Sequence, residues 1–148
     1  MGQGGLAKAL PHRQIILLDS DGSVLMLLSA LTTLGSYPAS NLKVFVFDNQ
    51  AYEGTGGQPS DTSRVTDIAA IARGAGVSEA QTVTDLGSFK TAAGDALTKE
   101  GMTFIVAKVK LAKGSAPRKD VGHKEGLLQF VRYVEKTENI PVLHREHY

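Results

Sequence analysis

Two short polar stretches hold the side chains best suited to chemistry. Asp19-Ser20-Asp21-Gly22-Ser23 follows the apolar run Gln14–Leu18, and Asp48-Asn49-Gln50-Ala51-Tyr52 follows Lys43–Phe47. A carboxylate in such a place can attack phosphorus or transfer a proton. Alternatively, a carboxylate such as Asp21 can hold a magnesium ion, which takes hard oxygen ligands at ~2.0–2.1 Å. Asn49 lies 28 residues after Asp21.

Each stretch is placed by the element that precedes it. Gln14–Asp19, Lys43–Asp48, Ala80–Asp85 and Thr103–Val109 are short runs rich in Val, Ile and Phe, which predicts strands. The first two are apolar without alternation, as in parallel strands covered on both faces. Val24–Ser36, Val65–Gly74 and Ser88–Glu100 carry apolar residues at helical spacing. A last helix is predicted over Lys124–Thr137, with Leu127, Leu128, Val131 and Val134 on one side. This alternation predicts an α/β fold, an open parallel sheet with helices on both faces. Ligands of such sheets bind beyond the carboxyl ends of the strands, where both polar stretches fall. A helix of about 13 residues and a turn would return the chain to the same end, so Asp21 and Asn49 are expected to face each other.

The chain of 148 residues fits one domain, 1–148, and its 42% hydrophobic and 21% charged content is ordinary for a globular protein. A net charge of +1 gives no electrostatic basis for a nucleic-acid or anionic-membrane partner. The absence of cysteine excludes a disulfide framework and a thiolate metal site, and a cytoplasmic location is expected. Val24–Gly35, the longest charge-free apolar stretch near the N-terminus, falls short of the ~20 residues a membrane span needs. Met1–Leu10 has no apolar core of the kind a signal peptide requires.

The segment Leu17–Leu25, LLDSDGSVL, resembles the first motif of the haloacid-dehalogenase-like phosphatases. That resemblance implies Asp19 as nucleophile and Asp21 as general acid. The late acidic pair it requires is not met: Gly94-Asp95 falls inside a predicted helix, with Lys99 where the second acid is wanted.

SDGS followed by VFVFDNQAY is similar to the cofactor signature of thiamine diphosphate enzymes, with one residue more than usual between the acid and Asn49. The runs FDNQAYEGTGGQPS, LPHRQIILLDSDGSVLM and GLLQFVRYVE resemble a narrower group. These are the sulfopyruvate decarboxylase β subunits and the C-terminal domain of phosphonopyruvate decarboxylases, with similarity from about Gly5 to Glu135. The resemblance implies thiamine diphosphate and Mg2+ as cofactors. It implies Asp21, Asn49 and the Ala51 carbonyl as magnesium ligands, with Gly22, Ser23 and Tyr52 also in the cofactor site. It further implies non-oxidative decarboxylation of a short 2-oxo acid with an anionic tail. The glutamate that activates the cofactor belongs, in the family, to a pyrimidine-binding half. This chain resembles only the diphosphate-binding half, so a pyrimidine-binding partner subunit, in a hetero-oligomer or dimer, is expected, and no activity alone.

Three departures support an alternative, a non-catalytic remnant that kept the fold and the cofactor. Ser20 replaces the first glycine of the signature, Glu53 stands where relatives have glycine, and Met1-Gly2 lies closer to Asp21 than the family's supporting Met-Gly pair. His12, His123, His144 and His147 show no metal spacing with carboxylates, which makes them structural or surface residues. Arg118–Lys124 reads as a solvated charged loop, and Thr55–Ser60 as a turn or a substrate-covering loop. The apolar face of Val24–Leu34 is expected in the core or against the partner.

Overall fold

The computed structural model describes residues 3–111 and 122–142. They divide into two compact units, with the boundary between Ala112 and Lys113. The first runs α1 (Gln3–Ala9), β1 (Ile15–Ser20), α2 (Asp21–Met26), α3 (Ser29–Ser36) and β2 (Leu42–Asp48). It continues with β3 (Ala51–Tyr52), β4 (Gln58–Pro59), α4 (Ile68–Gly74), β5 (Ala80–Val83), α5 (Leu86–Thr98) and β6 (Thr103–Lys108). In the second unit the described element is α6 (His123–Glu138), which ends at Asn139 in the left-handed conformation (φ 54°).

Four strands form one parallel sheet in the order β1-β2-β6-β5. All four predicted strands are present. The predicted strand Ala80–Asp85 stops at Val83 because Asp85 serves α5 instead, its carboxylate accepting the Ser88 N–H at 2.9 Å. Asp67 does the same for α4, accepting from the Ala70 N–H at 3.0 Å, so that helix starts at Ile68 rather than Val65. Val24–Ser36, expected as one helix, is two. The chain turns helical already at Asp21, leaves the helix at Leu27 (φ −141°) and re-enters at Ser29. The Ala30 and Leu31 N–H groups bond the carbonyls of Leu27 and Leu28, so the break leaves these donors satisfied.

The core explains the unbroken apolar runs. On one face of β2 and β6, Val44, Val46, Phe104 and Val106 pack in a cluster with Ala7, Leu31, Leu34, Ile68, Ala69 and Ala72, from α1, α3 and α4. On the other, Phe45, Ile105 and Ala107 cluster with Ala96, Phe89, Ala92 and Ala93 of α5. Central parallel strands are thus apolar on both faces. The edge strand β1 differs: Leu17 is buried, whereas Ile16 and Leu18 are exposed. At the amino end of the sheet, buried Lys43 donates from Nζ to the Lys99 and Gly101 carbonyls beyond the end of α5, and burial lowers its pKa. No helix among the described residues is long and apolar enough to cross a membrane.

Candidate functional site

The parallel register sets Ser20 beside Phe47 and Asp48 beside Lys108, so the polar stretches meet at the carboxyl edge of the sheet. Ser20 caps α2 through its Oγ, which accepts the Ser23 N–H at 3.3 Å. Asp21, the first residue of α2, is fully buried. Its Oδ2 accepts the Ser60 hydroxyl at 2.5 Å and lies 3.2 Å from Thr62 Oγ1. Its Oδ1 is buried with no hydrogen-bond partner.

Asp48 is likewise buried. Its Oδ1 accepts the Thr62 hydroxyl at 2.7 Å and the Gln50 N–H at 3.0 Å, and its Oδ2 pairs with Lys108 Nζ at 2.5 Å. Asn49 makes a second bond of the same kind, its Oδ1 accepting the Ala51 N–H at 3.0 Å. Between them Gln50 takes a left-handed conformation (φ 61°), uncommon outside glycine, which the two side-chain-capped turns hold in place. Ala51 then pairs with Pro59 in the β3–β4 hairpin. Because Ser60 N–H bonds the Gln50 carbonyl at 3.0 Å, this is a non-hydrogen-bonded pair. The main-chain N–H and C=O of Ala51 therefore point away from β4, toward the side where Asn49 Oδ1 lies.

Of the residues singled out from sequence, Asp21, Asn49 and Ala51 thus lie on adjacent strand ends and the turn joining them to the hairpin. The Tyr52 ring packs on Gly22: a Cβ built there would sit 2.8 Å from Tyr52 Cδ1. The Ser23 N–H is occupied by Ser20, a cost of serine at the position where the signature has glycine. Glu53 leans on the site, its Oε2 accepting from Asn49 Nδ2 at 2.9 Å. Thr55–Ser60 contains the hairpin turn, with Gly56 and Gly57 at φ 126° and 76°. Sequence reasoning missed Ser60, Thr62 and Lys108, and gave Asp48 no role of its own. The alternating hydroxyls of Pro59-Ser60-Asp61-Thr62 were the available signal.

Asp19 is apart from this network. Its Oδ1 accepts the Ser20 N–H at 2.9 Å, and it lines a cleft of about 670 Å³ with Leu18, Ser20, Phe47, Asn49, Glu53 and Lys110. Gly94 and Asp95, the residues a phosphatase would need beyond a further strand, lie inside α5. Met1, His144, His147 and residues 118–121 of the charged segment lie outside the described residues, as does the side chain of His123.

Among the described residues no three His, Asp or Glu side chains gather as a metal site. A cation here would depend on one carboxylate, an amide, a main-chain carbonyl and oxygens brought by a ligand. That donor set suits magnesium, which is commonly held by one or two carboxylates together with substrate phosphates. The unpartnered Asp21 Oδ1 would supply the carboxylate oxygen, so the chemistry of the residues present is compatible with the ion.

Residues 3–107 match the family model for thiamine pyrophosphate enzymes, C-terminal TPP binding domain. The chain belongs to this family. As a TPP binding domain it is 36% identical over 105 residues to sulfopyruvate decarboxylase subunit beta of Methanocaldococcus jannaschii, covering 70% of this chain and 55% of that protein. It is 37% identical over 102 residues to phosphonopyruvate decarboxylase of Streptomyces viridochromogenes, covering 68% of this chain and 25% of that one. The chain therefore spans about half the length of the first relative and a quarter of the second. The solved thiamine diphosphate-dependent 4-hydroxybenzoylformate decarboxylase of Rhodococcus jostii RHA1 superposes with a TM-score of 0.58 at 23% identity. That match covers 76% of this chain and 23% of the other, a likeness of fold. The fold is the α/β TPP-binding fold expected from sequence, and the matched region is a TPP binding domain.

Proposed function

We propose that this chain is the diphosphate-binding subunit of a magnesium-dependent 2-oxo acid decarboxylase, active with a pyrimidine-binding partner chain. The observation that carries the reading is the buried, unpartnered Oδ1 of Asp21, after the strand that neighbours the one leading into the capped Asn49-Gln50-Ala51 turn, within a TPP binding domain. A buried carboxylate oxygen without a donor costs stability, and a bound cation is one way to complete it. Asp21 Oδ1, Asn49 Oδ1 and the Ala51 carbonyl would hold Mg2+, and Gly22, Ser23 and Tyr52 would flank the cofactor. When bound, thiamine diphosphate supplies the nucleophilic carbon and the electron sink needed to release CO2 from a 2-oxo acid. This chain's part is to fix the diphosphate end, keep the cation in a water-poor recess and leave the other end open to the partner. The relatives' names support a substrate with an anionic tail, sulfonate or phosphonate.

Titration calorimetry with thiamine diphosphate and Mg2+ tests the cofactor reading, with magnesium-dependent binding expected and its absence refuting it. Mixing with a pyrimidine-domain chain encoded in the same genome should give CO2 release from sulfopyruvate or phosphonopyruvate. Binding without activity in any such mixture would favour the non-catalytic remnant. Two observations support that second reading: the Ser20 hydroxyl occupies the Ser23 N–H, and the Glu53 carboxylate sits on Asn49.

A further inference from the structure

Thr62 lies on neither strand end, yet its hydroxyl touches both buried carboxylates there. It is 2.7 Å from Asp48 Oδ1 and 3.2 Å from Asp21 Oδ2, and only 4% of the residue is exposed. Ser60 Oγ stands 2.9 Å from Thr62 Oγ1 and 2.5 Å from Asp21 Oδ2. Two hydroxyls own two protons, while four short oxygen–oxygen approaches converge on them. The shortest approach at each carboxylate takes a proton: Ser60 donates to Asp21, and Thr62 donates to Asp48. Thr62 has Asp21 Oδ2 as its second, longer acceptor, so both hydroxyls hold Asp21 through Oδ2 alone, and Oδ1 is free of any donor.

The same residue ties down the other half of the site. Asp48 Oδ1, which Thr62 holds, also accepts the Gln50 N–H of the turn carrying Asn49 and Ala51. The Thr62 carbonyl accepts Gln50 Nε2 at 3.1 Å. The Lys108 ammonium balances Asp48, whereas among the described residues no ion pair involves Asp21.

We infer that Thr62 is a positioning residue of the cation site. Its hydroxyl locks the Asp21 carboxylate and the Asn49–Ala51 turn into one frame, and so sets the affinity for the divalent cation. The inference rests on the proposed cofactor reading and adds to it a residue outside the proposed ligand set. Groups that orient a metal's ligands are worth typically 10- to 100-fold in affinity.

The test uses the full chain and three variants, Thr62→Val, Thr62→Ser and Ser60→Ala. Calorimetry measures the Mg2+ concentration for half-saturation at fixed thiamine diphosphate, and melting without ligand is followed in parallel. Thr62→Val is expected to raise the Mg2+ requirement by at least about tenfold, Ser60→Ala by less, and Thr62→Ser to stay within about twofold of the parent. A Thr62→Val protein that folds and keeps the parent's Mg2+ requirement overturns the inference while leaving the cofactor reading intact. Should Thr62→Val fail to fold, Thr62→Ser decides. Retained binding supports the hydroxyl's role, and a Mg2+ requirement raised tenfold refutes it by making the methyl group the active part. If the parent itself binds no thiamine diphosphate with Mg2+, the cofactor reading falls, and this inference with it.

Discussion

Removing the Asp21 side chain separates what the residue does for the fold from what it does for the ligand. In Asp21→Ala the buried, unpartnered Oδ1 disappears, relieving about 1–3 kcal/mol of desolvation. The charge-assisted bond from Ser60 to Oδ2 also disappears, a loss of about 1.5–3 kcal/mol. The two effects offset, so the ligand-free protein should change in stability by no more than about 1–2 kcal/mol, a few degrees in Tm. Ligand linkage is a separate quantity. At free thiamine diphosphate 100 times its Kd, with saturating Mg2+, the parent gains about 2.7 kcal/mol. For a domain of this size that is a rise of roughly 5–10 °C. Thermal unfolding of both proteins, with and without cofactor and metal, reads both effects in one experiment. The expected result is similar ligand-free melting and a ligand-induced rise in the parent alone. An Asp21→Ala protein that still shows the full rise would refute the metal role, and one melting 10 °C lower without ligand would make Asp21 a structural residue.

Glu53→Gln keeps an acceptor for Asn49 Nδ2 but deletes a negative charge beside the proposed cofactor site. Calorimetry should show thiamine diphosphate binding about threefold tighter, the scale of an exposed charge effect, with a smaller response to salt. Unchanged or weaker binding would count against a repulsive Glu53. Asp19→Asn should shift the same affinity by less than about twofold, because Asp19 bonds only its neighbour's N–H among the contacts observed; a severe loss, or phosphatase activity that depends on Asp19, would return that residue to the centre of the chemistry. Gly35→Ala forces a Cβ to within 1.8 Å of the Ala75 carbonyl oxygen, where α3 crosses the end of α4. A backbone neighbour yields little, so urea unfolding should register a loss of at least about 3 kcal/mol; parent-like stability would contradict this packing.

Much of this architecture is legible in the residues because the physics involved is local. Lys43–Asp48 reads as a parallel strand covered on both faces and is one, whereas Gln14–Asp19, read the same way, is an edge strand with Ile16 and Leu18 exposed. Asp21 and Asn49 could be expected on one edge of the sheet because each follows the carboxyl end of a strand, β1 and β2. The break at Leu27 was hidden, since apolar residues continue through Val24–Leu34 at a spacing that one straight helix satisfies equally well. Ser60 and Thr62 were hidden for another reason. Their partner Asp21 is 39 and 41 residues away, and a hydroxyl that bonds at such a distance in sequence leaves no periodic trace. Asp48 and Lys108 meet only because β6 is the neighbour of β2, an adjacency that strand patterns alone do not specify.

That adjacency has a consequence for how the chain can be made. β6 is the last strand of the sheet along the chain, yet it lies between β2 and β5. Until it is synthesised and inserted, β5 has no hydrogen-bonding neighbour in the sheet, β2 carries an open apolar edge, and Asp48 waits without the Lys108 ammonium that balances it. A fragment ending near residue 100 would therefore retain both signature stretches and still be unable to close around them. Translation delivers the turns at the carboxyl edge early and the strand that completes the sheet behind them late. The stretch in between is where this protein depends most on staying unaggregated.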